Sequence, residues 1–594
     1  MTSIRGIPPA PPSSVAPWPS SHRRYAAALG PAPTAEPPGP TPTVNPDLPF
    51  RRGGFPNLCA ALDYAAIGVT GLNFFDARGR LLHVLPYRRL QLEAQIFARR
   101  LIGAGFARGE RILVIAETYP DFCVAFFGAQ YAGVVPVPVS TPVGLGSKDG
   151  YIEQLRRQID TAGATAVIAP PELVAFARAA AESSTAFFVG SMADVEALAV
   201  AAAPLRPFTS GEACYVQFSS GSTRAPLGID IRQDQLMANI DGSLAAQGVC
   251  DTDAGVSWLP LYHDMGLIGF VLAPMCAQRS IDLMAPHGFA RRPLQWLSLI
   301  SRRRATITYS PSFGYDLAVR RARTQGGLDL DLSCLRLAGI GADMIQPEVL
   351  GRFADFFAPQ GFDRRAFMPS YGMAELCVGL SFAPAGGGMK VDSFHDPETG
   401  RVRDFVVCGR VMADHRVEIR DDAGASVGGR QVGRLFVHGP SVMPGYFRRP
   451  AHAANPIRDG WLDTGDLGYW FEGELVITGR AKELIIVNGR NVWPQDIEWA
   501  VEKLPQLRRG DCCAFSVSAG ETEKVVVMVE TSPMSADARL SLEGNIRQAV
   551  KESVGLESEI VFVARKPGLP RTSSGKLARM KARAQFLADL AASA

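Results

Sequence analysis

The sequence predicts an α/β fold built on a parallel sheet, followed by a smaller α+β domain. Three observations carry this. Residues 111–116 (RILVIA) form an apolar run of strand length, and residues 119–131 carry Tyr119, Phe122, Cys123, Phe126, Phe127 and Tyr131 as a helical apolar stripe. GVVPVPVS follows at 133–140, and a strand–helix–strand order of this kind is the signature of a βαβ unit with parallel strands. The alternation recurs at 163–180 and around 210–245. From residue 480 onward, ELIIV (483–487), AFSV (514–517) and KVVVMVE (524–530) precede a helical stretch at 536–553. These 115 residues are enough for a small domain with its own core.

The remaining composition sets the frame. With 47% hydrophobic and 20% charged residues in a chain of 594, a wholly disordered protein is excluded. Residues 1–50 hold 14 of the 44 prolines and show no apolar period, so a disordered leader is expected there. The expected division is therefore a leader over 1–50, a large domain over 51–479 and a small mobile domain over 480–594. A net charge of +3 gives no electrostatic reason to expect nucleic acid. The ten cysteines form no CxxC pair, which removes the common zinc and redox spacings and suits a reducing, cytoplasmic location. Cys512 and Cys513 read as small buried residues of a strand. No apolar region of a secretory signal is visible near the start. The uncharged run 122–147 is broken by Gln130, Pro136, Pro138 and Pro142, so no membrane span is expected.

Four local patterns suggest chemistry. An apolar strand, Tyr215-Val-Gln-Phe, runs into Ser219-Ser220-Gly221-Ser222-Thr223-Arg224. Such a turn presents backbone N–H groups and hydroxyls to a polyphosphate, although a Ser/Gly-rich turn also serves simply as a turn. It lacks the GxxxxGK[ST] spacing of a Walker loop. In Trp461-Leu-Asp463-Thr464-Gly465-Asp466, Asp466 can accept from the two hydroxyls of a ribose, or the stretch is an Asx-type turn. Gly479-Arg480-Ala481-Lys482-Glu483 lies at the expected domain boundary. Pro570-Arg571-Thr572-Ser573-Ser574-Gly575-Lys576 places one lysine on a Ser/Gly loop.

These four occur in order with Tyr262-His263-Asp264-Met265-Gly266, Gly339-Ile-Gly341-Ala342-Asp343 and Tyr371-Gly372-Met373-Ala374-Glu375. Over about residues 55–585 the chain thereby resembles the adenylate-forming superfamily of acyl-CoA synthetases, peptide-synthetase adenylation domains and luciferases. Within it the chain looks most like the fatty acyl-AMP ligases. SSGSTRAPLG (219–228), with Leu227 where most relatives have lysine, WLPLYHDMGLIG (258–269) and IIVNGRNVWPQDIE (485–498) resemble their versions of these segments, and Ala374 stands where many relatives have threonine.

The resemblance implies a large multi-subdomain N-terminal domain with mixed and parallel sheets and a small α+β C-terminal domain. It implies that ATP and a fatty acid, expected to be long, give an acyl-adenylate and pyrophosphate, with Mg2+ as cofactor. Ser219, Ser220, Gly221, Ser222, Thr223 and Arg224 are expected to hold the phosphates, with Arg224 supplying the charge that Leu227 lacks. Thr223 and Glu375 are expected at the metal. Gly341, Ala342 and Asp343 are expected to line the adenine pocket, with Tyr371 stacking on the base beside Gly372 and Met373. Asp466 is expected on the ribose with Arg480 assisting. His263 is expected between phosphates and acyl carboxylate, Lys576 bridging carboxylate and nucleotide, and Lys482 at a hinge.

In these ligases a segment after the Tyr-Gly-x-Ala-Glu motif is linked to acyl-adenylate release without free CoA; the candidate here is 383–407, read as a loop plus a short strand pair. The implied acceptor is the phosphopantetheine thiol of an acyl carrier protein or of a carrier domain in a polyketide or peptide synthase. Two alternatives stand beside it: an acyl-CoA synthetase using free CoA, and a non-catalytic acyl-adenylate binding module. Arg302, Arg303 and Arg304 form the densest basic run and are expected at a solvated helix end.

Overall fold

The computed structural model describes residues 39–593 except 143–147, 219–226, 326, 328, 396–399, 401, 449–454, 488–489, 520–521, 566–567 and 573–575. From Thr41 onward the described residues form one compact unit, which carries all the structure discussed below.

Its centre is a nine-stranded mixed sheet. Six strands run parallel, in spatial order Gly71–Phe75, Ile281–Met284, Gly255–Ser257, Ile307–Ser310, Leu337–Ile340 and Phe367–Tyr371. Leu81–Pro86 pairs antiparallel at one edge, and Ser381–Phe382 followed by Arg410–Val411 at the other. The central strands are buried along their length, as expected for parallel strands covered on both faces. Trp258 stacks on Phe289, and Trp296 packs edge-on against both.

The expected βαβ unit is present. Arg111–Ile115, helix Pro120–Ala132 and Val135–Val139 form two parallel strands and their crossover, within a four-stranded parallel sheet completed by Ala166–Ile168 and Phe188–Gly190. Gly133, left-handed at φ 70°, closes the helix. Around 210–245 the order differs from the expected alternation. Ala213–Phe218 pairs antiparallel with Gly228–Arg232, and helix Gln233–Ala246 follows. Alternating burial marks a strand, but not the direction of its partner.

A five-stranded antiparallel sheet (Arg416–Arg420, Gly433–His438, Trp461–Phe471, Ile457–Arg458, Glu474–Arg480) leads to the C-terminal segment. There Cys512–Ala519, Thr522–Thr531 and Ser558–Ala564 form a three-stranded sheet. Its alternate residues feed two cores: Cys512, Val525 and Val527 join Ile546 and Val550, while Cys513, Phe515 and Val526 join Ala582 and Phe586. The adjacent cysteines are buried free thiols on opposite faces of one strand. Among the described residues no helix is long and apolar enough to cross a membrane.

One expectation is corrected. Residues 41–50 belong to the packed unit rather than to a leader. Asn45 Oδ1 accepts from Val69 N at 2.7 Å, and its Nδ2 donates to Thr70 Oγ1 and Gln278 O, each at 3.0 Å. One buried side-chain amide ties this stretch down, and composition does not register it. Arg302, Arg303 and Arg304 end helix Leu294–Arg303 as expected: Arg302 and Arg304 are exposed, and the half-buried Arg303 pairs with Asp282 at 2.7 Å.

Candidate active site

A cavity of about 700 Å3 lies along the carboxyl ends of the central strands, where an open α/β sheet places its ligands. Gly341 and Ala342 follow strand Leu337–Ile340 directly, and Ser370 and Tyr371 end the next strand. Ser370 Oγ donates to Ile340 O at 3.1 Å and locks the two strand ends together. Gly372 is required by contact: a Cβ there would lie 1.8 Å from Val378 O.

The centre of the site is a three-residue network. Tyr371 Oη donates to Asp466 Oδ2 at 2.6 Å, and Arg480 Nε meets Asp466 Oδ1 at 3.3 Å. Asp466 and Arg480 are directly opposed partners of the hairpin Trp461–Phe471/Glu474–Arg480, so strand register presents them together. Burial pushes the Asp466 carboxyl up, while Arg480 and Tyr371 pull against it. The Tyr371 hydroxyl is pushed well up by burial and then by Asp466.

Glu375 sits in the one-turn 3-10 helix Ala374–Leu376. Tyr446 Oη donates to its Oε1 at 3.1 Å, and burial raises its carboxyl. The turn is closed by Cys377 at φ 68°, ψ −69°, with Val378 N bonded to Leu376 O at 3.0 Å. This is a strained three-residue turn, of a kind that clusters at functional sites.

His263 caps the short helix Asp264–Leu267, and its Nδ1 lies 2.5 Å from Asp264 Oδ1. Against the upward push of burial, His263 and Lys576 hold the Asp264 carboxyl below its usual range. Lys576 arrives from the far C-terminal segment. Its backbone is tied to Thr572, with N to Oγ1 at 3.2 Å and Thr572 N to Lys576 O at 2.8 Å. Burial lowers its ammonium, while Asp343, Asp264 and Asp466 support the charged form.

The structure brings most of the sequence-predicted residues to one place. His263, Gly341, Ala342, Tyr371, Gly372 and Met373 line the cavity, as do Glu375, Arg480, Lys482 and Lys576. Asp343 and Asp466 line an adjoining cavity of about 480 Å3 that shares Tyr371, Arg480 and Lys576. Lys482 is exposed in the one-turn helix Ala481–Glu483 between two sheets. Ser219, Ser220, Gly221, Ser222, Thr223 and Arg224 lie outside the described residues, but Leu227, just beyond them, lines the same cavity. Sequence reasoning missed Tyr446, which has no periodic or motif signal. It quoted Asp264 but gave it no role, although adjacency to His263 was the available cue.

The segment 383–407 contains the expected strand pair, Val391–His395 with Val402–Val406. Phe394 and Phe405 pack on Tyr469. Arg403 forms a salt bridge with Asp496 of helix Pro494–Val501 at 2.8 Å, with side chains 12% and 20% exposed.

Comparison with known proteins agrees with this geometry. The AMP-binding enzyme family model matches residues 82–447. A putative acyl-CoA synthetase of Caulobacter vibrioides is 44% identical over 565 residues, covering 92% of this chain and 98% of that protein. The medium-chain-fatty-acid–[acyl-carrier-protein] ligase JamA of Moorena producens is 30% identical over 546 residues, covering 87% and 92%. A solved structure from a study of fatty acyl-adenylate ligases of E. coli and L. pneumophila superposes with a TM-score of 0.87 at 39% identity, covering 92% of this chain and all of that one. With the family's region spanning the central sheet and a cavity that gathers a carboxylate–tyrosine–arginine network, a buried glutamate and a distant lysine, the chain belongs to the AMP-binding family of adenylate-forming enzymes.

Proposed function

We propose that the chain is a fatty acyl-AMP ligase. A fatty carboxylate attacks the α-phosphorus of ATP, the bond to the bridging oxygen breaks, and pyrophosphate leaves. The mixed anhydride then passes its acyl group to the phosphopantetheine thiol of an acyl carrier protein or carrier domain. The observation that carries the reading is the presence of Lys576 in the same cavity as His263, Glu375 and Arg480.

Phosphoryl transfer of this kind needs positioning and charge neutralisation more than covalent chemistry from the protein. Asp466 receives the ribose hydroxyls, with Tyr371 and Arg480 fixing its two oxygens. Gly341, Ala342 and Asp343 border the adenine, and Tyr371, Gly372 and Met373 form its other wall. Lys576 bridges the attacking carboxylate and the nucleotide, where a compact ammonium stabilises charge shared by both reactants. His263, anchored by Asp264, faces the acyl carboxylate. Ser219, Ser220, Gly221, Ser222, Thr223 and Arg224 hold the β- and γ-phosphates.

For Mg2+, the residues fit. Glu375 is a buried hard-oxygen donor with Tyr446 as its neighbour, and the described residues hold no group of three or more His, Cys, Asp or Glu side chains arranged as a metal cage. Mg2+ is suited to one or two protein oxygens plus phosphate and water. Glu375 and Thr223 would hold it, and it would supply charge neutralisation on the phosphates.

The segment from Arg480 onward turns about Lys482 after adenylation, removing Lys576 and opening the thiol's route. The Arg403–Asp496 bridge supports a role for 383–407 in restraining that turn. The second reading, an acyl-CoA synthetase using free CoA, is favoured by the name of the Caulobacter relative. The convergence of Lys576, Glu375 and Asp466 argues against a non-catalytic binding module. Hydroxamate trapping of the acyl-adenylate, with CoA or a loaded carrier protein added in turn, separates these readings. Faster transfer to the carrier supports the ligase, and rapid acyl-CoA formation overturns it.

A further inference from the structure

The larger cavity does not end at the nucleotide side. It also touches Gly255, Ile281 and Ile307, the first residues of three parallel strands, whereas Gly341, Ser370 and Tyr371 lie at the carboxyl ends of their neighbours. It therefore runs along the sheet from one end of the strands to the other. At about 3.3 Å per residue, strands of four residues span roughly 13 Å. Met265, Ile268, Phe270 and Leu244 make the middle apolar, as an acyl chain requires. Gly269, on the π-helical turn Ile268–Leu272, leaves open space where a Cβ would stand.

The far end is different in kind: Arg279, Asp253 and Gln247 line it. Arg279 is only 3% exposed. Its Nε donates to Ala277 O at 3.0 Å, its Nη1 to the carbonyl of the exposed Asp251, and its guanidinium carbon lies 5.4 Å from the centre of the Phe50 ring. Among the described residues its Nη2 has no hydrogen bond, and no carboxylate lies within ion-pair distance. Asp253 is already committed. Its Oδ1 accepts from Thr306 Oγ1 at 2.6 Å and Arg336 Nε at 2.7 Å, and its Oδ2 from Cys250 N at 2.9 Å and from Arg336 Nη2. The Asp251 and Asp253 carboxylates act on Arg279 only from beyond ion-pair distance, so its guanidinium keeps a donor facing the apolar tunnel. The half-buried Gln247 side-chain amide also has no hydrogen-bond partner among the described residues. Both groups line the cavity, so their donors are open to an acceptor carried by a bound acid.

We propose that the acid activated here carries an oxygenated far end, a carboxylate or a hydroxyl, which Arg279 and Gln247 receive. A guanidinium donor ranks the carboxylate above the hydroxyl, because the charge-assisted bond is the stronger of the two. This rests on the reading of the chain as a fatty acyl-AMP ligase and adds the class of acid to it.

The test is acid-dependent pyrophosphate release by the full-length protein. The probes are octanoic, decanoic and dodecanoic acids, each beside its ω-hydroxy and α,ω-dicarboxylic counterpart. The best oxygenated acid is expected to exceed its plain counterpart in kcat/KM by at least about tenfold, the scale of one hydrogen bond to a charged group. Arg279→Gln is expected to bring that ratio toward one, and Gln247→Leu to lower it for the hydroxy acids. Plain acids equal to or better than their counterparts at every length would overturn the inference alone. So would a folded Arg279→Gln protein with an unchanged ratio, and if that variant fails to fold, the ratio of the unaltered protein decides. Release with none of the acids would overturn the ligase reading and this inference together.

Discussion

Tyr371 and Asp466, 95 residues apart in sequence, meet at 2.6 Å in a buried hydrogen bond from hydroxyl to carboxylate. The bond fixes one oxygen of the proposed ribose-binding carboxylate while Arg480 addresses the other. Tyr371→Phe keeps the ring and removes the hydroxyl. It is expected to raise KM for ATP about tenfold, the ~1.4 kcal/mol of one charge-assisted bond, with a smaller effect on kcat. Steady-state kinetics at saturating acid check this.

The Arg403–Asp496 bridge joins the strand pair of segment 383–407 to the C-terminal helix. Arg403→Ala is expected to leave the adenylation step nearly unchanged and to alter transfer from acyl-adenylate to a thiol by several-fold. Single-turnover measurement of each half-reaction separates the two. Equal loss in both would assign Arg403 a role in folding instead.

Asn45 makes the clearest stability prediction. It accepts from Val69 N and donates to Thr70 and Gln278. Asn45→Ala removes these bonds and leaves the buried Thr70 N–H, which donates to Asn45 Oδ1 at 3.3 Å, without that acceptor, a cost of about 2–3 kcal/mol. Deletion through residue 40 spares them, whereas deletion through residue 48 removes Asn45 and the buried Leu48. Thermal melts are expected to show a lowered Tm for the longer deletion only.

Glu502 predicts a pH dependence of stability. Burial, with help from Glu498, pushes its carboxyl up to about 8 from an ordinary 4.5. The folded state then holds a proton that the unfolded state releases at lower pH. The associated stability is complete below about 4.5 and is lost as pH rises through about 8. Glu502→Gln stays neutral throughout, so its Tm is expected to fall less between pH 5 and pH 9, within about the range where carboxylates of this kind titrate.

Much of this was legible along the chain. The apolar runs at 111–116 and 133–140 sit in two parallel strands joined by a helix, because burial on both faces leaves an unbroken apolar signature. The strands and helix after 480 were legible for the same reason, with Cys512 and Cys513 facing opposite cores. The motif residues His263, Glu375, Arg480 and Lys576 were found in sequence order, and the structure brings them to one cavity. What the chain did not reveal are relationships between distant segments. The antiparallel pairing of Ala213–Phe218 with Gly228–Arg232 depends on a partner's direction. Tyr446 touches Glu375 across 71 positions, and Asn45 reaches Gln278 across 233. Arg279 is an ordinary arginine until the fold buries it with no carboxylate at ion-pair distance among the described residues.

The central claim is that Lys576 completes an adenylating site, and one measurement tests it most directly: fatty-acid-dependent pyrophosphate release in the unaltered protein and in Lys576→Ala, followed across pH. The account predicts robust release in the first and a loss of about 10²–10³-fold in the second, the scale of one electrostatic group at a transition state. Because burial lowers the Lys576 ammonium, release in the unaltered protein is expected to decline at a more acidic pH than that of a free lysine's titration. Equal release by both proteins, or release that needs no acid, would contradict the account.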